Sequence, residues 1–395
     1  MQEKNVTEIL SELVKIKSIS SDKNHIADVK KSAEFVEKLF LELGLQTKIA
    51  TSGNSRPAVL AQTEINPDRK TVLLYAHHDV QPVGDINKWE TDPFNPEIIN
   101  GRLFGRGSGD NKAGVVIHHE VVKELMKDLP VNIKIFIEGE EEIGSPCMAQ
   151  FLDEFNKELE ADVIVIADSG NIRIGTPTVT TSLRGLVDGF IEVDQPMRPV
   201  HSGVGGGVVP DAFMVLSKII ASFHNEKGEL QIEGLTSSDM DVLELKEEEI
   251  KKIFGSEDIN LFELDSISKR LWLEPALSIL AIDAPSTKEA VNLVIPNAKA
   301  KVSLRLPPTE DPEHAMKMLE EHIMKNVPWG ANVRFIPEAK GSGIVADPNK
   351  EFTKKLVQNF EEVFNTDAAY MGVGGSIPFA NDFVEKFPNA DLVLI

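Results

Sequence analysis

The segment 73–89, LLYAHHDVQPVGDINKW, decides the fold and raises the first chemical question. A short apolar run typical of a buried strand ends in His77, His78 and Asp79, and a proline and a glycine follow. On an extended chain His77 and Asp79 project to the same side, because side chains alternate with a period of two. An aspartate beside a histidine can orient its ring and raise its basicity, as behind metal-bound imidazoles. His78 faces the other way, and we expect it to be structural.

Similar apolar runs alternate with helical patterns through the first half of the chain. Strands are predicted at 58–63, 71–76, 131–137 and 162–167, and helices at 6–16, 26–43 and 113–129, the second ended by Gly44. Buried strands that alternate with helices predict an α/β sheet covered on both faces. The functional loops of such a sheet lie at the carboxyl ends of its strands.

The middle of the chain follows a different order. Strand patterns at 184–194, 277–283, 298–308 and 331–337 combine with helices at 212–223 and 313–324. This order of strand, helix, two strands, helix and strand is ferredoxin-like. An acidic helical stretch at 238–270 is expected to be a solvated insertion. A helix at 349–364 and the strand ADLVLI return to the α/β pattern of the first half of the chain. We therefore predict one α/β domain, residues 1–179 and 345–395, interrupted by an α+β domain, residues 180–344.

Composition narrows the class of protein. The length of 395 residues suggests about two domains, and 42% hydrophobic with 26% charged residues is ordinary for a soluble protein. A net charge of −22 repels phosphate backbones and argues against nucleic acid as a partner. The single cysteine, Cys147, favours a reducing compartment. The first residues predict an amphipathic helix, and no apolar run has the length of a membrane span. We expect a soluble, cytoplasmic protein that does not bind membranes.

A glycine-rich stretch at 103–114, LFGRGSGDNKAG, places Asp110 just before a predicted helix. Taken alone, this pattern is more typical of a helix cap after a flexible turn. A phosphate-binding loop is the rival interpretation, but the stretch lacks the Gly-Lys-Ser/Thr ending.

Two further strand ends carry carboxylates. FIEGEEEIGSP, residues 136–146, holds three consecutive glutamates, Glu140 to Glu142. A charge run usually marks a solvated face, yet this one follows an apolar strand, at the mouth of an α/β crevice. Asp168 ends the strand in VIVIADSG. Adjacent carboxylates with different roles make sense where one binds a metal and its neighbour transfers protons.

Together these strand ends supply one imidazole, three carboxylates and a spare glutamate. Nitrogen and oxygen ligands without thiolates suit zinc, manganese or cobalt, and a carboxylate can bridge two such ions. Paired metal ions activate water and stabilise a tetrahedral transition state. This grouping accounts for His77 as a metal ligand that Asp79 holds in place.

The sequence at this point resembles the aminoacylase/carnosinase family of dinuclear zinc metallopeptidases, which includes cytosolic dipeptidases, glutamate carboxypeptidase, acetylornithine deacetylase and succinyl-diaminopimelate desuccinylase. The motifs, in family order, are HHDVQP with Trp89 downstream, GRGSGDNKAG, EGEEEIGS, ADSG, PVHSGVGGG, SLRLPP and GGSIP. They extend over nearly the whole chain. The resemblance implies a zinc-peptidase-like catalytic domain with a ferredoxin-like lid and dimerisation domain inserted.

The resemblance also implies roles for individual residues. The metal ligands fall on His77, Asp110, Glu142 and Asp168, with Asp110 bridging two divalent ions, zinc first and manganese or cobalt as alternatives. Asp79 supports the ligand histidine, and Glu141 is the general base that later returns a proton to the leaving amine. His201 matches a lid-domain histidine that reaches a partner subunit's active site, which implies a homodimer. Substrate binding is assigned to Arg305, Gly375 and Ser376. In the alternative interpretation, His201 caps a glycine-rich loop and Arg305 pairs with an acid. His118 and His119 lie in a helical pattern, and we expect them to be structural.

The sequence departs from the family pattern at the fifth metal ligand. In the family this ligand is a histidine that follows a strand similar to ADLVLI. The sequence has no histidine after His322. We therefore expect a C-terminally incomplete family member whose site holds one metal ion more weakly, or a genuinely shortened protein with a weakened site.

Three functions remain open from sequence. Gln81 in HHDVQP and the EGEEEIGSP segment resemble the dipeptidase branch, which favours hydrolysis of dipeptides or short peptides by metal-activated water. Deacylation of an N-acyl amino acid uses the same attack on an amide carbonyl. A non-catalytic metal-binding homologue is the third, favoured by the absent histidine and disfavoured by the retained Glu141.

Overall fold

The computed structural model describes residues 5–375 and 378–395. The chain separates into two compact units. Of the described residues, the first comprises 5–180, 346–368 and 378–395, and the second comprises 181–345 and 369–375. Residues 369–375 thus group with the second unit, whereas the sequence assigned all of 345–395 to the first, because a strand in this segment pairs with the strand that enters the second unit.

Seventeen strands are formed by the described residues. They are β1 Gln46–Ala50, β2 Ala58–Gln62, β3 Thr71–His77, β4 Glu97–Ile99, β5 Arg102–Phe104, β6 Asn132–Glu138, β7 Val163–Ile166, β8 Thr178–Leu183, β9 Gly185–Asp194, β10 Val200–His201, β11 Ala276–Asp283, β12 Leu293–Val294, β13 Asn297–Leu306, β14 Val333–Gly341, β15 Ile344–Val345, β16 Ala369–Val373 and β17 Asp391–Leu394.

Twelve α-helices occur in the same described part of the chain. They are α1 Val6–Val14, α2 Ile26–Glu42, α3 Lys112–Leu125, α4 Met148–Glu154, α5 Asn156–Leu159, α6 Ser202–Gly205, α7 Ala212–Ser222, α8 Glu247–Ile253, α9 Ile267–Trp272, α10 Pro312–Lys325, α11 Glu351–Phe364 and α12 Pro378–Lys386. None of these helices has both the length and the apolar character needed to cross a membrane.

Local signals fix the ends of the first helices. Asn5 caps α1 by accepting the backbone N–H of Glu8, whose carboxylate in turn accepts the N–H of Asn5. The chain leaves α2 through Gly44 at a φ of +89°, a conformation that glycine adopts without strain. Both helix positions agree with the sequence pattern to within two residues.

The first unit is built on a mixed sheet in the order β1-β2-β6-β3-β7-β17, and the start of β8 lies beside β17. β6, β3, β7 and β17 run parallel, whereas β2 is antiparallel to β6. In the parallel register His77 lies opposite Glu138, and Tyr75 lies opposite Ile166. The carboxyl ends of three strands therefore meet at one edge, as the sequence predicts.

Burial explains why the sequences of these strands are continuous apolar runs. Every residue of β6 is buried, and so are the last five of β3. Leu13, Phe40 and Val115, from three helices, belong to the same core cluster as Ile135. A sheet covered on both faces has no polar alternation, which is the pattern of a buried parallel sheet.

The second unit contains a four-stranded antiparallel sheet in the order β11-β13-β9-β14. With α7 after β9 and α10 after β13, this is the ferredoxin-like arrangement predicted from sequence. Burial alternates residue by residue along β9, so one face of this sheet packs on a core. Val215 of α7 and Leu319 of α10 belong to that core. The predicted fold class is confirmed.

The stretch 238–270 and the first strand differ from the sequence prediction. The stretch 238–270 is not one helical insertion but holds only the short helices α8 and the start of α9, with irregular backbone between them. The acidic residues of this stretch suggested a helix. The stretch has few apolar residues, so a long helix would have no apolar face to pack against the core. The strand β1 was missed because QTKIA lies at an edge and is only partly buried.

Candidate metal centre

His77 is the last residue of β3 and is fully buried. Its Nδ1 lies 3.1 Å from the backbone oxygen and 3.3 Å from Oδ1 of Asp79. The extended backbone brings these two side chains to the same side, which is what the spacing predicted. Because Asp79 engages Nδ1, the ring presents Nε2 to the other acidic residues at this edge of the sheet.

Asp110 reaches His77 from the glycine-rich loop that precedes α3. The distance from Asp110 Oδ1 to His77 Nε2 is 3.0 Å. Gly107 has a φ of +86°, and the peptide bond between Asp110 and Asn111 is cis. The side chain of Asp110 is 72% exposed, and in the described part of the chain its side-chain hydrogen-bond partner is His77.

Asp168 follows β7 and completes a three-residue group. Its Oδ1 lies 3.6 Å from His77 Nε2 and accepts a hydrogen bond from Asn111 Nδ2 at 2.6 Å. Asn111 Nδ2 also donates to the backbone oxygen of Ala167 at 2.5 Å. The residue after Asp110 therefore ties the glycine-rich loop to the end of β7. Sequence reasoning missed this role of Asn111, whose only signal was its place between Asp110 and the helix.

Gly114 allows the first turn of α3 to lie against the same strand end. A Cβ atom at this position would lie 2.3 Å from Asn111 Oδ1 and 2.8 Å from the Ala167 backbone oxygen. No side chain fits at those distances, so glycine is required for the loop and the strand to approach.

The ligand atoms of His77, Asp110 and Asp168 all lie within 4.8 Å of one another. Four carboxylates approach within 4 Å of the two His77 ring nitrogens; they belong to Asp79, Asp110, Glu141 and Asp168. Burial opposes protonation of His77, but its interactions with Asp110, Asp168 and Asp79 outweigh this and hold its pKa well above the usual value. Even a protonated imidazole carries only one positive charge against these carboxylates. A divalent cation would balance more of the negative charge of these carboxylates. The nitrogen and oxygen donors suit zinc, manganese or cobalt.

The three consecutive glutamates have different environments. Glu140 is buried, and its carboxylate accepts the backbone N–H of Arg56 at 2.8 Å and of Cys147 at 3.1 Å. Glu141 lies 3.8 Å from His77 Nε2. Glu142 accepts the backbone N–H of Gln81 at 3.3 Å. The first glutamate therefore shapes the loop, and the other two lie beside the cluster.

Burial, followed by the charge of neighbouring carboxylates, raises the pKa of Glu141 to about 8. The pKa of Glu142 is also raised, by burial and by Asp110. The hydrogen bond with His77 lowers the pKa of Asp110. Among the described residues, the compact group contains His77, Asp110 and Asp168 but not Glu142, the fourth ligand expected from sequence.

A cavity of about 620 Å³ opens beside Asp110 and Asp168. Ile117, Phe360 and Phe364 form part of its wall. An ion or a small molecule can therefore reach these two carboxylates.

Three further predicted site residues, His201, Arg305 and Gly375, belong to the second unit. His201 is exposed, and its Nδ1 accepts the backbone N–H of Gly203 at 3.1 Å, so it caps α6. Arg305 lies in β13 opposite Ala276 and Leu186. Gly375 follows β16, and Ser376 lies outside the described residues.

The other histidines near the first unit's sheet have structural environments, as expected. His78 is buried and donates from Nε2 to the backbone oxygen of Pro57 at 2.9 Å. His118 is buried in α3 and donates from Nε2 to the backbone oxygen of Tyr75 at 2.9 Å. Burial lowers the pKa of each of these two rings to about 4. His119, also buried in α3, packs edge-on against Phe40.

The sheet of the first unit gathers an imidazole and acidic side chains at the carboxyl ends of its parallel strands, and this donor set is that of a metal-dependent enzyme. Residues 73–386 match the model of the Peptidase family M20/M25/M40. The chain belongs to this family, and the resemblance seen in its motifs is confirmed.

Several relatives and solved structures are similar to the chain. It is 31% identical over 394 residues to the cysteinylglycine-S-conjugate dipeptidase of Corynebacterium striatum, a match that covers 98% of this chain and 86% of that protein. It is 31% identical over 289 residues to the mouse (Mus musculus) Beta-Ala-His dipeptidase, covering 68% of this chain and 58% of that protein. The structure of human carnosine dipeptidase 1 aligns with a TM-score of 0.82 at 25% identity, covering 99% of this chain and 88% of that one. An M20 family metallo-carboxypeptidase from Sulfolobus solfataricus aligns with a TM-score of 0.80 at 26% identity, with coverages of 99% and 91%.

Proposed function

We propose that the chain is a metallopeptidase that hydrolyses the peptide bond of dipeptides. The observation that carries this proposal is the placement of Glu141, which lies 3.8 Å from His77 Nε2 and beside the grouped carboxylates of Asp110 and Asp168. A proton-transferring carboxylate next to a cluster of metal-type donors is the arrangement that metal-assisted amide hydrolysis uses. The relatives named as dipeptidases support the dipeptide as substrate.

His77, Asp110, Asp168 and Glu142 are the residues that would hold the metal. We propose that these residues would hold two divalent ions, zinc first. A bound divalent cation would polarise the scissile carbonyl and ease ionisation of the attacking water. Asp79 orients His77 through Nδ1, and Asn111 orients Asp168 through its amide, so two ligands are fixed by buried neighbours.

Glu141 has the role of general base. It takes a proton from the attacking water and delivers that proton to the nitrogen of the leaving amine. Its pKa, raised to about 8 by burial and adjacent carboxylates, lies near neutral pH. This value belongs to the metal-free chain, and a bound cation would lower it, which favours the carboxylate form that accepts the proton. The environments of Glu140 and Glu141 support this division, because both oxygens of Glu140 are occupied by backbone N–H groups.

Substrate recognition is assigned to the second unit. We propose that Arg305 binds the carboxylate of the dipeptide, because a guanidinium matches a carboxylate through two parallel hydrogen bonds. Gly375 and Ser376 are proposed to contact the substrate backbone. A substrate that lacks the terminal carboxylate is then expected to bind weakly.

A homodimer through the second unit is part of the proposal. β11 is an edge strand of the four-stranded sheet and exposes Leu280 at 55% and Ile282 at 51%. Val204 in α6 and Val208 just after this helix are about four-fifths exposed. Exposed apolar side chains on an edge strand and around a short helix are features of association surfaces. In the dimer, His201 would reach the partner subunit's site and stabilise the developing negative charge on the carbonyl oxygen.

A reducing compartment fits the single cysteine, and we propose the cytoplasm as its location.

A substrate panel tests the proposed function. The chain is stripped of metal with a chelator, dialysed, and reconstituted with zinc, manganese or cobalt chloride. Amine release is then measured for Cys-Gly, β-Ala-His and Ala-Gly, and for matched N-acetyl and N-succinyl amino acids. Metal-dependent cleavage of the dipeptides supports the proposal. Preference for the N-acyl substrates would identify a deacylase, and tight metal binding without turnover of either class would identify a non-catalytic homologue.

A further inference from the structure

Lys112 is a buried lysine at the start of α3, two residues after Asp110. Its side chain is fully buried, and its Nζ donates to the backbone oxygens of Leu13 at 3.0 Å and Ile16 at 2.7 Å. A buried ammonium group is costly unless hydrogen bonds satisfy it. Leu13 lies in the last turn of α1 and Ile16 just beyond it, at the negative end of the helix dipole. The Lys112 amino group therefore joins the end of α1 to the start of α3.

The stem of Lys112 runs underneath the glycine-rich loop. A Cβ atom at Gly107 would lie 3.1 Å from Lys112 Cδ and 2.8 Å from Val80 Cγ1. The side chain thus passes close to the loop that carries Asp110 and near the residue that follows Asp79. Its position is fixed by packing as well as by hydrogen bonds.

The segment that Lys112 binds, residues 13–20, also contacts the other side of the metal centre; we call this segment the N-terminal strap. Ser18 Oγ donates to the backbone oxygen of His78 at 2.6 Å. The backbone N–H of Val80 donates to the oxygen of Ser18 at 2.9 Å. The strap is therefore bonded to both neighbours of Asp79 and, through Lys112, to the loop of Asp110.

We propose that Lys112 is a positioning residue for the metal centre. By anchoring the N-terminal strap it fixes the Asp110 loop relative to His77, so that the two ligands keep their spacing. Asp110 depends on such support because its side chain is largely exposed and is held from one side by His77. Lys112 acts through the main chain and does not itself bind the ion. This inference depends on the proposed role of His77 and Asp110 as metal ligands.

The test measures Co²⁺ binding to the metal-stripped full chain by its visible absorption spectrum. Lys112→Met keeps the apolar stem and removes the donors, and we expect Co²⁺ affinity to fall about tenfold or more, as for other groups that support ligands. We also expect the intensity or position of the Co²⁺ bands to change. Urea unfolding, measured alongside, records the loss of stability.

Lys134→Met is the matched control. Lys134 Nζ also donates to two backbone oxygens, those of Lys157 and Glu160, each at 2.7 Å. This lysine lies in the first half of β6, away from the carboxyl edge of the sheet. Its replacement is expected to lower stability while leaving Co²⁺ affinity and the spectrum unchanged.

The outcomes separate the two proposals. If the unsubstituted chain binds no Co²⁺, the proposed metal centre is wrong. If it binds Co²⁺ and Lys112→Met binds equally well with the same spectrum, the positioning role is wrong. Equal weakening in both lysine variants also overturns it, since only general destabilisation would be at work. If Lys112→Met does not fold, Ser18→Ala decides instead: several-fold weaker Co²⁺ binding supports the strap, and unchanged binding overturns it.

Discussion

Asp79 Oδ1 accepts the backbone N–H of Glu141 at 3.2 Å, while the same oxygen lies 3.3 Å from His77 Nδ1. The second carboxylate oxygen accepts the N–H of Glu142 at 3.1 Å. One buried carboxylate therefore fixes the ring of the candidate ligand and the backbone of the loop that carries the proposed base. Burial alone would raise the pKa of Asp79, but the contact with His77 outweighs it and lowers this pKa.

Replacement of Asp79 is expected to loosen both halves of the site. In Asp79→Asn the new NH₂ group is itself a donor and would face the backbone N–H of either Glu141 or Glu142. That backbone N–H then loses its hydrogen-bond acceptor. We expect metal affinity to fall about 10- to 100-fold. A zinc competition titration with a chromophoric chelator measures this directly.

Asp162→Asn serves as the control for that variant. Asp162 also accepts a backbone N–H, from Thr71 at 2.8 Å, but at the opposite end of β3. Its replacement is expected to leave zinc affinity unchanged. Equal affinities for Asp79→Asn and the unsubstituted chain would contradict the supporting role of Asp79.

Much of the site could be predicted because its residues follow strands with strong patterns. The apolar runs before His77 and Asp168 become β3 and β7, and parallel pairing places their ends at one edge. A run of four to seven apolar residues is a local signal, and the meeting of carboxyl ends follows from general rules of α/β topology. The role of Asp110 was implied by the family resemblance, because the glycine-rich stretch by itself is more typical of a helix cap.

The contacts that sequence reasoning missed join residues far apart in the chain. Lys112 binds carbonyls about a hundred residues earlier, and Glu140 binds the N–H of Arg56. A lysine in a polar loop and a glutamate in a charge run both resemble solvated residues. Only the folded backbone shows that these charges are buried, since no local pattern records which distant carbonyl or N–H will meet them.

Glu141→Gln separates proton transfer from metal binding. The amide keeps the size of the side chain but cannot accept the proton, so we expect dipeptide turnover to fall at least about 100-fold. Metal affinity and stability are expected to stay close to those of the unsubstituted chain, because Glu141 is not proposed as a ligand. Steady-state amine release and Co²⁺ titration measure the two properties.

Glu140→Gln provides the contrast in the adjacent position. Glu140 accepts two backbone N–H groups, and an amide can accept only one of them in the same geometry. The unpaired buried N–H is expected to lower the free energy of unfolding by about 1–3 kcal/mol.

Full dipeptidase activity in Glu141→Gln would show that a group other than Glu141 transfers the proton.

Gly114→Ala should distort the junction between the glycine-rich loop and β7. The new methyl group would lie 2.3 Å from Asn111 Oδ1, so the amide that orients Asp168 has to move. We expect a loss of about 1–3 kcal/mol in the free energy of unfolding, together with weaker metal binding. Gly109→Ala, in the same loop, is the control because a Cβ there meets nothing within 4 Å. Equal metal affinity in both variants would contradict this account.

His118 predicts a specific loss of stability in acid. Burial lowers its folded-state pKa to about 4, whereas the ring titrates near its ordinary value of 6.5 once the chain unfolds. Above pH 6.5 the ring is neutral in both states, and its contribution is fully present. Between pH 6.5 and about 4 the unfolded chain binds the proton first, so the free energy of unfolding falls as the pH falls.

His118→Gln removes this titration while offering an amide N–H to the Tyr75 backbone oxygen. Urea unfolding of the metal-stripped chains at pH 7.0, 5.5 and 4.5 measures the effect. Both chains share every other titrating group, so the difference in their pH dependence isolates His118. We expect the unsubstituted chain to lose about 2–3 kcal/mol more than the variant between the first and last pH. Parallel pH profiles would mean that His118 is already protonated, or equally accessible, in the folded protein.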